Sequence, residues 1–329
     1  MTDPVLNYRK ANGLIFGIYP GGWLDTSEQA VPDQPPKVNK ALDKLQPKKR
    51  PFVVRGYLGF EDQLHSKIET PVNMGQYAIH GRKLGLTLCY RSPTGDIEGW
   101  KAFIKKTIQN YGPSLAKIQI TEEPNNPDTA TGGDGSSPNI HQAIIEGVCA
   151  AKEEITRLQL DCMVGFNAVI AFNPHDIFWK TLADLGTSHF LQSLDYIGLD
   201  FFPDVFVPLP SKPDGHILRM EEAVLAVLSQ FRKVNLEQGN IPFEIPIHIT
   251  ENGWPTNLTR SEGRQAEVLE ITIKTIYHQR TALNITHYEY FDLRDINRSE
   301  LGFQFGLLRD DYSPKIAFDT YCRMIQKFG

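Results

Sequence analysis

Apolar runs of strand length recur at fairly even intervals along the chain, and each ends in a polar or aromatic cluster. Between them, apolar residues lie three and four positions apart, which is typical of amphipathic helices. One such helix is predicted over residues 141–158, with Ser137 and Pro138 at its start, and a last one over 314–328. The predicted strands are 13–19, 51–58, 84–90, 115–121, 162–169, 194–202, 246–250 and 286–291.

Strands that alternate with helices, without a long linker to divide them, predict an α/β protein with one (β/α)₈ TIM barrel over residues 1–329. The alternative is an open, doubly wound sheet, which favours a G-x-G-x-x-G turn after its first strand. This chain has Tyr-Pro-Gly-Gly-Trp there, at 19–23, so the barrel is the better interpretation. Residues 24–36 and 125–137 interrupt the pattern and are predicted to be loops after strands.

Composition and charge narrow the class of partner. The chain has 41% hydrophobic and 22% charged residues, as soluble globular proteins have. Its net charge of −5 and its lack of a long basic run argue against a nucleic-acid partner. No stretch is apolar enough to span a membrane, and no export signal begins the sequence. We expect a cytoplasmic protein as the sequence stands, or a secreted one if a signal has been removed.

The cysteines and histidines give no metal-binding pattern. Cys89, Cys149, Cys162 and Cys322 are scattered, without a C-x-x-C pair, and are predicted to be reduced thiols. The nine histidines include no H-x-H or H-E-x-x-H group. We therefore expect neither a metal nor another cofactor.

Two predicted strands end in glutamates. The fourth closes with Thr-Glu-Glu-Pro-Asn at 121–125, and the seventh with Thr-Glu-Asn-Gly-Trp-Pro at 250–255. Because the carboxyl ends of barrel strands share one rim, Glu123 and Glu251 are expected to lie close together. Retaining hydrolysis of a glycosidic bond needs two carboxyl groups about 5 Å apart. The alternative is that Glu123 caps a helix and Glu251 is a solvated turn residue.

These segments resemble clan A of the retaining (β/α)₈ glycoside hydrolases, whose acid/base ends the fourth strand and whose nucleophile ends the seventh. The resemblance is local, to β-glucosidases, β-1,3-glucanases and galactanases of that clan, and assigns no single family. It implies that Glu251 is the nucleophile and Glu123 the general acid/base in cleavage of a β-linked, equatorial bond by double displacement. It also implies that Arg55, at the end of the second strand, hydrogen-bonds the nucleophile.

Further candidates for substrate binding lie at or just after other strand ends. They are Tyr90 and Arg91 after the third strand, Asn167 at the end of the fifth, Trp254 beside the nucleophile and Tyr290 in the eighth. Trp254 is expected either to stack on a sugar ring or to pack in the core. Tyr90 and Arg91 are expected to contact the substrate or a catalytic carboxylate.

The chain departs from the clan's pattern at two positions. Glu122 stands where the clan usually has an asparagine that contacts the sugar. A carboxylate there is expected to raise the pKa of Glu123 by charge repulsion, or else to be the proton donor itself. Phe202 stands where the clan usually offers a tyrosine hydroxyl to the nucleophile, so Tyr290 or another group must supply that hydrogen bond. Tyr290 or Phe291 is expected to stack on the sugar.

The sequence as a whole favours a cofactor-free retaining glycosidase that acts on a glycoside, an oligosaccharide or a polysaccharide. Neither nucleic acid nor a membrane is an expected partner. Two alternatives stay open at this point. One is a transglycosidase that uses the same residues, and the other is a catalytically impaired barrel that binds carbohydrate.

Overall fold

The computed structural model describes residues 6–9, 11–22, 31–47, 50–62, 68–211, 215–297 and 303–329. Within the loop predicted over 24–36, residues 24–30 therefore lie outside the described residues. The strands are β1 (Ile15–Ile18), β2 (Phe52–Phe60), β3 (Glu69–Thr70), β4 (Lys83–Tyr90), β5 (Leu115–Ile120), β6 (Met163–Val169), β7 (Tyr196–Asp200), β8 (Ile247–Asn252) and β9 (Ile285–Tyr290).

The sheet closes on itself. Strands β2, β4, β5, β6, β7, β8 and β9 follow one another in parallel, and β1 pairs in parallel with both β2 and β9. The two-residue strand β3 adds to β2 in antiparallel direction. Eight parallel strands therefore form a closed barrel, which confirms the predicted fold and excludes the open sheet.

Helices surround the barrel. They are α1 (Pro35–Leu45), α2 (Ile97–Tyr111), α3 (Ile140–Arg157), α4 (Phe178–Leu185), α5 (Ser188–Ser193), α6 (Met220–Gln230), α7 (Leu236–Gln238), α8 (Glu262–Gln279) and α9 (Ile316–Phe328). A π-helical turn, Phe231–Asn235, joins α6 to α7. Their apolar faces pack on the outer side of the strands; Trp100 of α2 and Trp179 of α4, for example, are fully buried.

Some predicted element boundaries were wrong. Helix α3 begins at Ile140 behind Asn139, whose φ of 62° makes it the N-cap, so Ser137 and Pro138 lie in the preceding turn. Helix α1 begins at Pro35, inside the loop predicted over 24–36. Proline suits the first helical turn because its missing N–H has no partner there in any case.

The barrel interior is polar below the carboxyl ends of the strands. Lys117 and Glu289 form an ion pair, both almost completely buried. Next to them the His248 ring stacks between His287, at 3.6 Å, and Tyr196, at 4.2 Å. Burial lowers the pKa of both histidines, and the nearby Lys117 charge lowers it further, so both rings are neutral at pH 7.

Glycines make room for these long side chains. A Cβ atom added at Gly17 would lie 2.8 Å from Cγ of Glu289, and one at Gly85 would lie 3.0 Å from Cε of Lys117. Both distances are shorter than ordinary carbon–carbon contact. The buried ion pair therefore depends on two glycines: Gly17 in β1, next to the strand of Glu289, and Gly85 in β4, next to the strand of Lys117.

Two further expectations from the sequence concerned the cysteines, predicted to be reduced thiols, and the lack of a stretch apolar enough to span a membrane. Cys89, Cys149, Cys162 and Cys322 are free thiols. Within the part of the chain that the structure describes, no helix combines the length and the apolar character needed to cross a membrane.

Candidate active site

A cavity of about 850 Å³ lies at the carboxyl ends of the barrel strands. Its lining includes the carboxyl groups of Glu122 and Glu123 after β5, Asp200 at the end of β7 and Glu251 in β8. One oxygen atom of each lies within 4.8 Å of the corresponding atoms of the others. The structure thus brings Glu123 and Glu251 together as predicted, and it adds two further carboxyl groups. These oxygens are near enough to one another to hold a cation, although Arg55 already supplies a positive charge there.

Glu251 is held by two side chains of β2. The hydroxyl of Tyr57 donates a hydrogen bond to its Oε1, and Nε of Arg55 lies 3.3 Å from the same oxygen. Arg55 Nε also donates to the Tyr57 hydroxyl, at 2.7 Å. The contact predicted between Arg55 and the nucleophile is therefore present, and Tyr57 supplies the hydroxyl that Phe202 cannot.

The two glutamates after β5 differ in how they are held. Oε2 of Glu122 accepts hydrogen bonds from Gln119 at 2.6 Å, Arg55 at 3.2 Å and Asn167 at 3.2 Å. Oε2 of Glu123 accepts one from Asn126 at 2.8 Å. The fixed Glu122 carboxyl is ion-paired to Arg55, whereas Glu123 keeps more freedom to exchange a proton with a ligand. This difference favours Glu123 as the proton donor.

The backbone of this turn is anchored from two sides. The Glu123 N–H donates to Oδ1 of Asn167 at 2.8 Å, and the Glu122 N–H donates to Oδ2 of Asp134 at 2.8 Å. Glu123 has a φ of 40°, a conformation that non-glycine residues adopt only where the surroundings hold it. Asp134 belongs to the loop predicted over 125–137, so this loop fixes the turn that carries both glutamates.

Burial raises the pKa of Glu122, Glu123 and Asp200. For Glu122 the main cause is burial, followed by the charge of Glu251. For Glu123 it is again burial, followed by the charges of Asp200 and Glu251. The predicted rise at Glu123 is present, and the largest repulsion comes from Asp200 and Glu251. A raised pKa keeps a carboxyl group protonated to higher pH, which suits a general acid.

Asp200 is a site residue that the sequence analysis missed. Its Oδ1 accepts a hydrogen bond from the Thr250 hydroxyl at 2.5 Å, and its Oδ2 accepts one from the Asn167 amide. Burial, and then the charge of Glu251, raise the pKa of Asp200 to about 7. Asn167, predicted to bind substrate, is fully buried and instead connects Asp200 with the Glu122–Glu123 turn.

Tyr57 was missed as well, although a signal for both residues was present. Side chains two positions apart in a strand point to the same side of a sheet. Tyr57 follows Arg55 by two positions in β2, so the placement of Arg55 in the site places Tyr57 there too. Asp200 ends β7, at the same rim as the two glutamates.

Five predicted substrate-binding residues are absent from the described lining of the cavity: Arg55 and Asn167, which contact the carboxyl groups from behind, and Tyr90, Trp254 and Tyr290. The Tyr90 ring packs outward against Trp100, with ring centres 5.2 Å apart. Trp254 is buried, and the Arg260 guanidinium covers its ring at 4.5 Å. The Tyr290 hydroxyl donates to the Phe305 carbonyl at 3.0 Å and so does not reach the nucleophile. The structure therefore places Tyr90, Trp254 and Tyr290 in the packing around the cavity, and for Trp254 this is the core alternative of the sequence analysis.

Other predicted residues do line the cavity. Arg91 donates to the Gly132 carbonyl at 2.9 Å, which ties it to the loop that also carries Asp134. Phe202 takes part in a group of aromatic side chains with Phe291. Phe291 in turn stacks on Tyr19, with ring centres 5.4 Å apart, and of the pair Tyr290 and Phe291 it is the residue that lines the cavity.

No protein-family model and no curated protein matches this sequence. Solved structures do match over nearly the whole chain. A family 1 β-glucosidase from Thermotoga maritima has a TM-score of 0.64 at 10% identity, covering 98% of this chain and 99% of its own. A β-glucosidase of the same family from Exiguobacterium antarcticum has a TM-score of 0.63 at 12% identity, covering 97% and 99%. At such low identity the likeness shows the fold, a (β/α)₈ barrel shared with these enzymes.

Proposed function

We propose that the protein is a retaining glycoside hydrolase that cleaves a β-linked bond, with Glu251 as nucleophile and Glu123 as general acid/base. The observation that carries this proposal is the pair of carboxyl groups on the cavity floor, with one oxygen of each within 4.8 Å of the other. Retaining enzymes hold the two groups about 5–5.5 Å apart, whereas inverting enzymes need about 6.5–9.5 Å to admit a water molecule.

In the first step a Glu251 carboxylate oxygen attacks the anomeric carbon. The bond from that carbon to the leaving oxygen breaks, and this oxygen takes the proton of Glu123. Tyr57 and Arg55 orient the Glu251 carboxylate through its Oε1. Burial of Glu123 supports its role, because a raised pKa keeps the transferable proton on this carboxyl group to higher pH.

In the second step the ionised Glu123 removes a proton from water. The water oxygen attacks the anomeric carbon, and the bond to Glu251 breaks, which restores both carboxyl groups. Two displacements at the same carbon return the original anomeric configuration. The two solved structures described above are β-glucosidases, and the Thermotoga maritima β-glucosidase is also known in complex with deoxynojirimycin, which supports a β-glycoside as the substrate here.

The test is turnover of a panel of aryl β-glycosides by the wild type, Glu251→Ala, Glu123→Ala and a control, Glu237→Ala on the exposed surface of α7. We expect Glu251→Ala to lose at least about a thousandfold in kcat/KM, roughly 4 kcal/mol of barrier. Glu237→Ala should equal the wild type. Equal activity in all the variants would refute the assignment.

Azide separates the roles of the two glutamates. Because azide needs no base in order to attack, it should restore turnover to Glu123→Ala and give a β-glycosyl azide. If Glu122 were the proton donor, Glu122→Gln would show this rescue and Glu123→Ala would not. Products of inverted configuration would contradict the retaining mechanism. Sugar binding without any turnover would favour the carbohydrate-binding alternative, and products extended by an added acceptor sugar would favour the transglycosidase.

A further inference from the structure

The cavity has chemically different parts, and its lining includes the polar residues Arg91, Asn126 and Thr131. Its floor carries the four carboxyl groups. One side is formed by the lining residues within 169–172, 201–210 and 218–227, which we call the apolar wall. In this wall Asp204 is the one polar side chain among the described lining residues, and it lies 3.8 Å from Arg260.

The apolar wall begins beside the proposed general acid. Asn125, two residues after Glu123, donates to the Val169 carbonyl at 2.9 Å and accepts from the Val169 N–H at 2.9 Å. Val169 is the first residue of the wall. Because Glu123 must reach the leaving oxygen, the group attached to that oxygen is expected on this side. The wall is thus in position to bind the leaving group.

We infer that the leaving group is an apolar aglycone, alkyl or aryl, rather than a second sugar. This inference rests on the proposed function and names the substrate class of the same site. A second sugar would bring hydroxyl groups against a wall with almost no hydrogen-bond partners, and burying an unpaired hydroxyl is costly. An alkyl or aryl group gains free energy from the same burial.

The rim of the wall supports the same class of ligand. Three large hydrophobic side chains there are exposed, namely Phe172 at 56%, Phe206 at 58% and Val207 at 73%. Exposed hydrophobic residues gathered at one opening are typical of binding sites. The volume of about 850 Å³ also lies near the upper end of the range of about 300–1,000 Å³ found for small-molecule sites, so it has room for more than one sugar ring.

The experiment compares methyl, butyl and hexyl β-glycosides of the sugar that the wild type accepts. These alkyl glycosides have leaving groups of nearly equal basicity, so differences in kcat/KM report binding to the wall. Each buried methylene is expected to raise kcat/KM up to about fourfold, or about 0.8 kcal/mol. From methyl to hexyl we expect a rise of at least about thirtyfold.

Two substitutions on the rim, Phe172→Ser and Phe206→Ser, should lower this hexyl-to-methyl ratio by at least about fivefold. The matched control is Phe243→Ser, which changes a phenylalanine of similar exposure, 52%, that lies over Arg232 and away from the cavity. This control should leave the ratio unchanged. Equal ratios in all four proteins would overturn the inference.

Two further outcomes separate this inference from the proposed function. Turnover that does not depend on chain length, or a disaccharide used as well as the hexyl glycoside and unaffected by Phe206→Ser, overturns the apolar aglycone and leaves the hydrolase. If no glycoside is turned over, the binding of methyl, butyl and hexyl β-glucosides is measured by calorimetry, and it decides whether the wall binds an apolar group. Affinity that rises with chain length and falls in Phe206→Ser supports the apolar wall as a binding site while the hydrolase fails, and flat affinity overturns both.

Discussion

Replacing Asp200 by asparagine should make the protein more stable at pH 8. Burial, and next the Glu251 charge, raise the pKa of this carboxyl group from 3.8 to about 7. The substitution keeps both hydrogen bonds, because a carboxamide oxygen can accept from Asn167 and its NH₂ group can donate to the Thr250 hydroxyl. The main change is therefore the removal of a charge that the folded state disfavours.

The size of the effect follows from the two pKa values. Below about pH 4 the carboxyl group is protonated in both the folded and the unfolded state, and it costs nothing. Between about pH 4 and 7 the unfolded chain loses this proton first, so the free energy of unfolding of the wild type falls by about 1.4 kcal/mol per pH unit relative to Asp200→Asn. From the shift of 3.8 to about 7, the difference reaches about 4 kcal/mol above pH 7.

Thermal unfolding between pH 5 and 8.5 measures this difference. An unfolding entropy of about 2.1 cal/mol/K per residue over 329 residues converts about 4 kcal/mol into a Tm rise of about 6 °C at pH 8. At pH 5 the rise should be about 2 °C. The control, Asp204→Asn, removes a carboxylate from the cavity wall without relieving the cluster, and no such gain is expected. A Tm difference that is independent of pH, or a less stable Asp200→Asn at pH 8, would refute the reasoning.

Three further predictions concern the site and the barrel interior. Tyr57→Phe removes a hydrogen bond to Glu251 worth about 1.5–3 kcal/mol, so kcat/KM should fall about 10–100-fold. The control Tyr19→Phe, in the same cavity but hydrogen-bonded to Thr70, should lose less than about fivefold. Equal losses in the two variants would contradict the role of Tyr57 in holding Glu251. Asp200→Asn removes a negative charge that raises the pKa of Glu123, so the alkaline limb of the pH profile of kcat/KM should move to lower pH, and movement to higher pH would contradict it. Lys117→Met removes the nearer cation of buried Glu289 and leaves Arg55, whose Nη1 lies 4.0 Å from that carboxyl group. The free energy of unfolding in urea should fall by about 3 kcal/mol, whereas a loss below about 1 kcal/mol would show that the pair is dispensable.

The fold and the proximity of Glu123 and Glu251 were predictable because both follow from strand periodicity. Alternating strands and helices give the closed barrel, and the carboxyl ends of its strands meet at one rim. Glutamates that directly follow β5 and lie in β8 are therefore brought together whatever the loops do. Arg55 was predicted from the resemblance to clan A, and its position in β2 places it 3.3 Å from Glu251.

Which way each side chain points was predicted less well. Cys89 lines the cavity, so its neighbour Tyr90 must point outward, and Glu289 fills the barrel interior, so Tyr290 must also point outward. Strict alternation along β4 and β9 gives this result once one residue of each strand has been placed. Trp254 lies beyond its strand, where alternation no longer applies, and its cover by Arg260 depends on a contact that the sequence does not reveal.

The close fit between the interior glycines and the buried ion pair limits how this barrel can change during evolution. A methyl group at Gly17 would meet Glu289, and one at Gly85 would meet Lys117, so neither glycine can be exchanged alone. A methyl group at Gly17 would also lie 2.7 Å from the Val53 carbonyl oxygen of β2, so shortening Glu289 alone would not make room for it. Among homologues, glycine should therefore persist at position 17 even where Glu289 is replaced, because β1 is confined by both of its neighbouring strands, β2 and β9.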